Sequence, residues 1–372
     1  MGIAYVTSYV RRALGQPTMS QEPGIYVLRI DPISGDTEDI QATGRSNPTW
    51  IEIDHGRGVL WTCLGPAAPD GECRIEAHRI DPDSGTLTAL SSIGIGPGSP
   101  AQITVSPDGH HLVVANYGSG EFTVHHIDSD GRVLERTAVV RNEGSGPHVR
   151  QDCPHPHAVA FTPDGRFLVT ADLGCDLVQS FVLDDDGSLR ETGRASTRLG
   201  SGPRHVAFSS DSRVLYVIGE LDGDITAFRF DPDTGAIGEI VQMIATAPEG
   251  HSGPQSAAEI ALHPSGRFLY ASNRGSQTIA TYRVDSGSGR LSLIGHESRG
   301  IAGPTSFAIA PAGDVFWAAS SDADLLVRFR IDGATGKLEP LGKPVPLRAA
   351  NVVAFSKLLD GEFLAAEQID QQ

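Results

Sequence analysis

Four side chains break the pattern of the chain that carries them: His157, Arg204, Glu220 and Arg274. His157 and Arg204 share one slot of a repeated segment with Thr49, Ala101, Ala258 and Thr305. Glu220 and Arg274 share a second slot with Leu64, Tyr117, Leu173 and Ser321. A repeat that installs charge where its sister copies hold small or apolar groups departs from structural need, and such departures gather at functional sites. A histidine and a carboxylate can move protons at a reacting centre. Two arginines make a fork for carboxylate or phosphate and can stabilise a developing oxyanion. Plainer readings exist for each alone: His157, in Pro154-His155-Pro156-His157, can cap a strand, and the arginines can pair with Glu220 or Asp172. Together the four predict a convergent catalytic constellation.

Six further residues are candidate substrate contacts: Asn116, Arg150, His155, Asp172, Glu259 and Asn273. Asn116, Asp172 and Asn273 occupy the slot just before that of Glu220 and suit turn capping equally well. Glu259 opens a strand, where it can balance Arg274. Arg150, in His148-Val149-Arg150-Gln151, sits on a long loop leading toward His157.

The elements that must hold these residues are strands. From Cys153 to Leu189, strand-length apolar runs alternate with the turns Thr162-Pro163-Asp164-Gly165, Leu173-Gly174-Cys175-Asp176 and Asp184-Asp185-Asp186-Gly187. That spells four antiparallel strands, A to D, with turn residues suited to their positions. Asp-started, Gly-ended turns recur at Asp31, Asp81, Asp128, Asp184, Asp231, Asp285 and Asp332, spaced 47 to 56 residues apart, near the length of one propeller blade. Seven A strands open near Trp50, Gln102, Ala158, His205, Glu259, Ser306 and Val352. The first C–D turn has no A strand before it, and the last A strand, Ala350 to Phe355, has no C–D turn after it. Pairing these leftovers closes the ring and removes two exposed edges. The expected fold is all-β, a seven-bladed β-propeller closed by the C-terminal strand joining the N-terminal blade. A single domain, residues 1–372, is expected.

In an antiparallel blade the D-to-A connection and the B-to-C turn lie at the same end. His157, Arg204, Glu220 and Arg274 are therefore expected on one face, from successive blades three, four and five. Loops on a rigid scaffold are where function concentrates. The long ones run from Val10 to Pro23, from Val140 to Pro156 and from Ala245 to Ala257; the first, if it folds over the face, can supply Arg11 or Arg12. Residues after Lys357 add an edge strand or extend freely.

A net charge of −17 argues against nucleic acid or an anionic membrane as partner, so any arginine cluster must be local. No stretch is long and apolar enough to span a bilayer and the N-terminus lacks a signal-like apolar run, making the cytoplasm the expected location. Cys63, Cys73, Cys153 and Cys175 show neither CxxC spacing nor a His/Cys metal pattern, so no disulfide framework, metal or cofactor is expected. The nucleophile-elbow, phosphate-loop, dinucleotide and HExxH motifs are missing. The Asp-rich turns lack the twelve-residue calcium loop.

At Ser145-Gly146-Pro147, Arg150-Gln151, Pro154-His155-Pro156-His157, Asp172-Leu173-Gly174, Gly202-Pro203-Arg204-His205, Glu220-Leu221, Ala258-Glu259-Ile260 and Ser272-Asn273-Arg274-Gly275 the chain resembles the seven-bladed propeller lactonases. That family includes bacterial 6-phosphogluconolactonases and fungal carboxy-cis,cis-muconate cyclases. Val114-Ala115-Asn116-Tyr117-Gly118 matches as well. The resemblance implies a site built on His157, Arg204, Glu220 and Arg274. It departs from the family at Gly219, where asparagine is usual, at Gln102, near which a histidine is usual, and at Thr305-Ser306, where an Arg-His pair is usual.

The expected activity is hydrolysis of a sugar-acid lactone, foremost 6-phosphogluconolactone, by a carboxylic ester hydrolase acting on a small molecule as monomer or homodimer. His157 or Glu220 is the expected base. One alternative is a cycloisomerase acting on a carboxy-cis,cis-muconate-type lactone, and another is a non-catalytic propeller that binds a partner.

Overall fold

The computed structural model describes residues 2–9, 24–31, 35–44, 47–66 and 71–356. The expectations for the Val10 to Pro23 loop, and for the residues after Lys357, lie outside the described residues.

Seven antiparallel sheets form the molecule. Their inner strands are Pro48–Asp54, Pro100–Val105, Pro156–Phe161, Pro203–Phe208, Ala257–Leu262, Pro304–Ile309 and Ala350–Phe355, in blades one to seven. Blade seven is a composite in which Ala350–Phe355 pairs with Gly2–Ser8, followed by Ile25–Ile30 and Thr37–Ala42. The register sets Ala4 against Phe355 and Val6 against Val353. Two edges that would otherwise be bare thus satisfy each other, as the sequence predicts.

The core lies between blades, not within one. Leu112 and Val114 pack toward blade one with Val59, Trp61 and Ile75. Their neighbours Val113 and Ala115 pack toward blade three with Val159, Leu168 and Phe181. The period-two alternation of a strand therefore feeds two different interfaces, which is why the second strand of each blade is buried throughout and reads as an unbroken apolar run. Seven such clusters follow one another around the ring.

A recurring clip fixes four of the blades to the next. Tyr5 Oη, Trp61 Nε1, Tyr216 Oη and Tyr270 Oη donate to the carbonyls of Gly85, Gly131, Gly289 and Gly336, the closing glycines of the following C–D turns. Those glycines answer to two demands at once. Gly289 has φ +72°, and a Cβ there would stand 2.4 Å from Val214 Cγ2 of the neighbouring blade.

One irregularity positions the site. At the start of the inner strand the pairing register shifts between Pro48 and Trp50, Pro100 and Gln102, Pro156 and Ala158, Pro203 and His205, and Pro304 and Ser306. In blade five the shift runs from Ala257 to Ile260. Proline lacks the N–H that the ladder would use, and the extra residue after it forms a bulge that re-aims its side chain. The bulged residues include Thr49, Ala101, His157, Arg204, Ala258 and Thr305, the first slot recognised in the sequence.

Candidate active site

Glu220 is the hub. It follows the second strand of blade four, Val214–Gly219, and its amide donates to the Gly202 carbonyl at 2.8 Å, fixing it beside the bulge that carries Arg204. Its side chain is 4 % exposed. Arg204 Nε donates to Oε2 at 3.0 Å, and Arg274 Nη2 approaches Oε1 at 2.8 Å. Arg150 Nη1, from the long loop between blades two and three, donates to Oε1 at 2.5 Å. His157 Nε2 lies 3.9 Å from Oε2. Two bulged strand residues, His157 and Arg204, and two loop residues, Arg150 and Arg274, thus converge on one carboxylate.

The arginines are themselves braced. Arg204 Nη1 donates to the Ala258 carbonyl at 2.6 Å, and Arg274 donates to the carbonyls of Ser256 and Ala257. Arg150 Nη2 donates to Tyr117 Oη at 3.2 Å, and 43 % of the Arg150 side chain stays exposed, against 8 % for Arg204 and 11 % for Arg274. Arg150 therefore stands at the mouth and the other two below it.

Burial alone pushes a carboxyl up, but the guanidiniums of Arg274, Arg204 and Arg150 outweigh it and hold Glu220 well below the usual carboxylate range. Burial, reinforced by Arg204 and His205, holds the His157 imidazole well below the usual histidine range. His157 is neutral around pH 7, and its Nδ1 is buried with no partner among the described residues. Three guanidiniums against Glu220, with Glu259 farther off behind His205, leave a positive surplus in a chain whose net charge is −17. The surplus suits an anionic ligand.

A line of rings runs from the ring axis to the rim. Trp50 of blade one reaches the opposite blade and meets His205 edge-on, at 5.2 Å between centroids. His205 meets His157 at 5.2 Å, His157 meets Tyr117 at 5.9 Å, and Tyr117 stacks on His155 at 4.3 Å. His205 Nδ1 lies 2.8 Å from Glu259 Oε1, both buried, and Glu259 Oε2 has no partner among the described residues. Burial lowers the His205 imidazole against the opposing pull of Glu259.

The other sequence candidates divide. Arg150 joins the Glu220 cluster directly and Glu259 joins it through His205. His155 sits at the rim with Nδ1 3.0 Å from the Tyr117 carbonyl. Three remain within the fold's own bonding. Asn116 Nδ2 donates to Thr123 Oγ1. Asp172 accepts from the His155 and Gly174 amides and from Asn142. Asn273 donates to Thr246 and Gln255 and accepts from the Gly275 and Ser276 amides.

Sequence reasoning did not single out His205, Trp50 or Tyr117 as site residues. A signal was present for two of them, because the position after the first slot holds Trp50, Gln102, His205 and Glu259 where an inner strand needs only small residues.

The family described as "Lactonase, 7-bladed beta-propeller" matches residues 4–355. A Bacillus subtilis 6-phosphogluconolactonase is 31% identical over 282 residues, 76% of this chain and 79% of that protein. A Formosa agariphila 6-phosphogluconolactonase is 31% identical over 293 residues, 77% of this chain and 82% of that protein. Among solved structures, a periplasmic gluconolactonase of Pseudomonas aeruginosa superposes with a TM-score of 0.87 at 28% identity, covering 95% of this chain and 99% of that one.

Proposed function

The chain belongs to the family of seven-bladed β-propeller lactonases and is a lactone-hydrolysing enzyme, and from that premise we propose that it opens 6-phosphogluconolactone to 6-phosphogluconate on the Glu220 face. The observation that carries this reading is the gathering of Arg150, Arg204 and Arg274 around Glu220. A neutral sugar lactone has no need of that positive surplus; a phosphorylated one does.

In this reading water attacks the lactone carbonyl carbon, the proton lost by water passes to His157, and His157 returns it to the ring oxygen as the ring carbon–oxygen bond breaks. A neutral imidazole whose side chain is 12 % exposed beside the Glu220 cluster fits that role. Glu220 fits it poorly, because a carboxylate held ionised by three guanidiniums is a weak base. Its part is to fix the arginines in place. Arg204, buried against His157 and Glu220, stabilises the carbonyl oxygen as charge builds on it, while Arg274 and Arg150 hold the phosphate. His155 lines the approach. Glu259 acts through His205, and Asn116, Asp172 and Asn273 support the loops that carry the site.

The substrate is a small molecule, and the four unbridged cysteines support a reducing cytoplasmic setting for this reaction. Among the described residues no helix is long and apolar enough to cross a membrane. The test is acid release from 6-phosphogluconolactone in weak buffer with the spontaneous rate subtracted. A rate well above background supports the reading. Background alone, with isomerisation of a muconate-type lactone, would transfer the site to the cycloisomerase alternative.

A further inference from the structure

The rim of the site carries a second group of chemically competent side chains. Asp152, Cys153 and His155 lie in four consecutive positions, and one potential ligand atom from each falls within 4.8 Å of the other two. His155 Nε2 stands 3.0 Å from Asp152 Oδ1 and 3.7 Å from Cys153 Sγ. A tetrahedral zinc ion with bonds of about 2.0–2.3 Å to nitrogen, oxygen and sulfur separates its ligand atoms by roughly 3.3–3.7 Å. The sulfur edge, 3.7 Å, lies at the top of that range, and the oxygen edge, 3.0 Å, lies just below it.

Histidine chemistry adds an independent argument. His155 Nδ1 lies 3.0 Å from the Tyr117 carbonyl, an oxygen that only accepts, so Nδ1 carries a proton. Nε2 is then the atom turned toward Asp152 Oδ1 and Cys153 Sγ, and a backbone carbonyl on the far nitrogen is the usual way a ligating histidine is fixed.

The ring is also held before anything binds. It stacks on Tyr117 at 4.3 Å, and its own amide donates to Asp172 at 2.8 Å. Pro154 and Pro156 flank it and restrict the backbone. Asp152 and Cys153 are exposed, so a fourth position is open to solvent.

We propose that Asp152, Cys153 and His155 form a three-ligand site for a thiophilic divalent transition metal of the zinc class. A sulfur ligand disfavours magnesium and calcium, which take oxygen sets. The ion clasps the segment between Arg150 and His157, and so the loop that delivers both to Glu220. No conventional zinc spacing announces it in the sequence, because the donors are adjacent and converge only once Tyr117 orients the imidazole.

The test is independent of lactone hydrolysis. Metal-free protein is titrated with Co2+ while the near-ultraviolet thiolate-to-cobalt charge-transfer absorption is followed, and Zn2+ is then added to displace the cobalt. The expected result is a saturable band that zinc abolishes. Cys153→Ser removes the band, His155→Gln and Asp152→Asn each weaken cobalt binding at least about tenfold, and Cys175→Ser leaves it unchanged. All four variants should keep the thermal midpoint of the metal-free wild type. No band in the wild type would leave the contact as a histidine–aspartate hydrogen bond and overturn the proposal. A band that survives Cys153→Ser would overturn it as well.

Discussion

Glu220 and Arg274 belong to different blades, yet Oε1 of one meets Nη2 of the other at 2.8 Å. Each follows the second strand of its own blade, so the contact bridges two loops at one end of the ring. The same carboxylate takes Arg204 and Arg150, and the site is therefore an electrostatic object before it is a catalytic one.

Removing either buried arginine should cost activity far more than fold. Arg204→Ala and Arg274→Ala are each expected to lower kcat/KM for 6-phosphogluconolactone by about 100-fold or more, the range for a lost oxyanion or phosphate donor. Far-ultraviolet circular dichroism should show the sheets intact. Arg274→Lys keeps charge but not the fork and should recover only part of the loss. Full activity in both alanine variants would remove the assignment.

Replacing the carboxylate should have the opposite balance. Glu220→Gln leaves Arg204 and Arg274 buried without their counter-charge, which costs about 3 kcal/mol when a buried pair loses one member. The native value of Glu220 is depressed, so its stabilisation is present above the unfolded value of 4.5 and is lost as pH falls through the native one. Thermal midpoints of wild type and variant, measured from neutral to acid pH, should converge on the acid side. A constant gap down to that range would contradict the ion-pair account.

His157 should set the acid limb of the rate profile. Its imidazole is pushed below the ordinary value of 6.5, so it remains neutral above that pH and loses competence only as pH falls below it. With unphosphorylated gluconolactone, whose lack of phosphate removes a confounding titration, kcat/KM is expected to be level near neutrality and to decline with an inflection below 6.5. His157→Gln should lose about 100-fold and flatten the limb. An inflection above 6.5, or an unaltered limb in the variant, would rule His157 out as the base.

Much of this was legible in the sequence for a physical reason. Repetition supplies an internal control: all seven inner strands carry a register shift at their start, so the first-slot residues stand out against Thr49, Ala101 and Thr305 as soon as the copies are aligned. The closing glycines likewise announce themselves, because each must adopt positive φ and admit the preceding blade. What repetition does not encode is reach. Trp50 touching His205 across the ring axis, and Arg150 folding back from its loop onto Glu220, depend on side-chain length and closure of the ring. Nor does spacing reveal that Glu220 is shared by three arginines, which in the proposed reading makes it a counter-ion instead of the base.

The most direct measurement sets kcat/KM for 6-phosphogluconolactone against kcat/KM for gluconolactone, in the wild type and in Arg274→Ala, with spontaneous opening subtracted. The account predicts that the wild type prefers the phosphorylated lactone by about 10- to 100-fold, the worth of one or two charge-assisted contacts, and that the preference largely disappears in the variant. Equal rates on both lactones, or a preference untouched by Arg274→Ala, would contradict it.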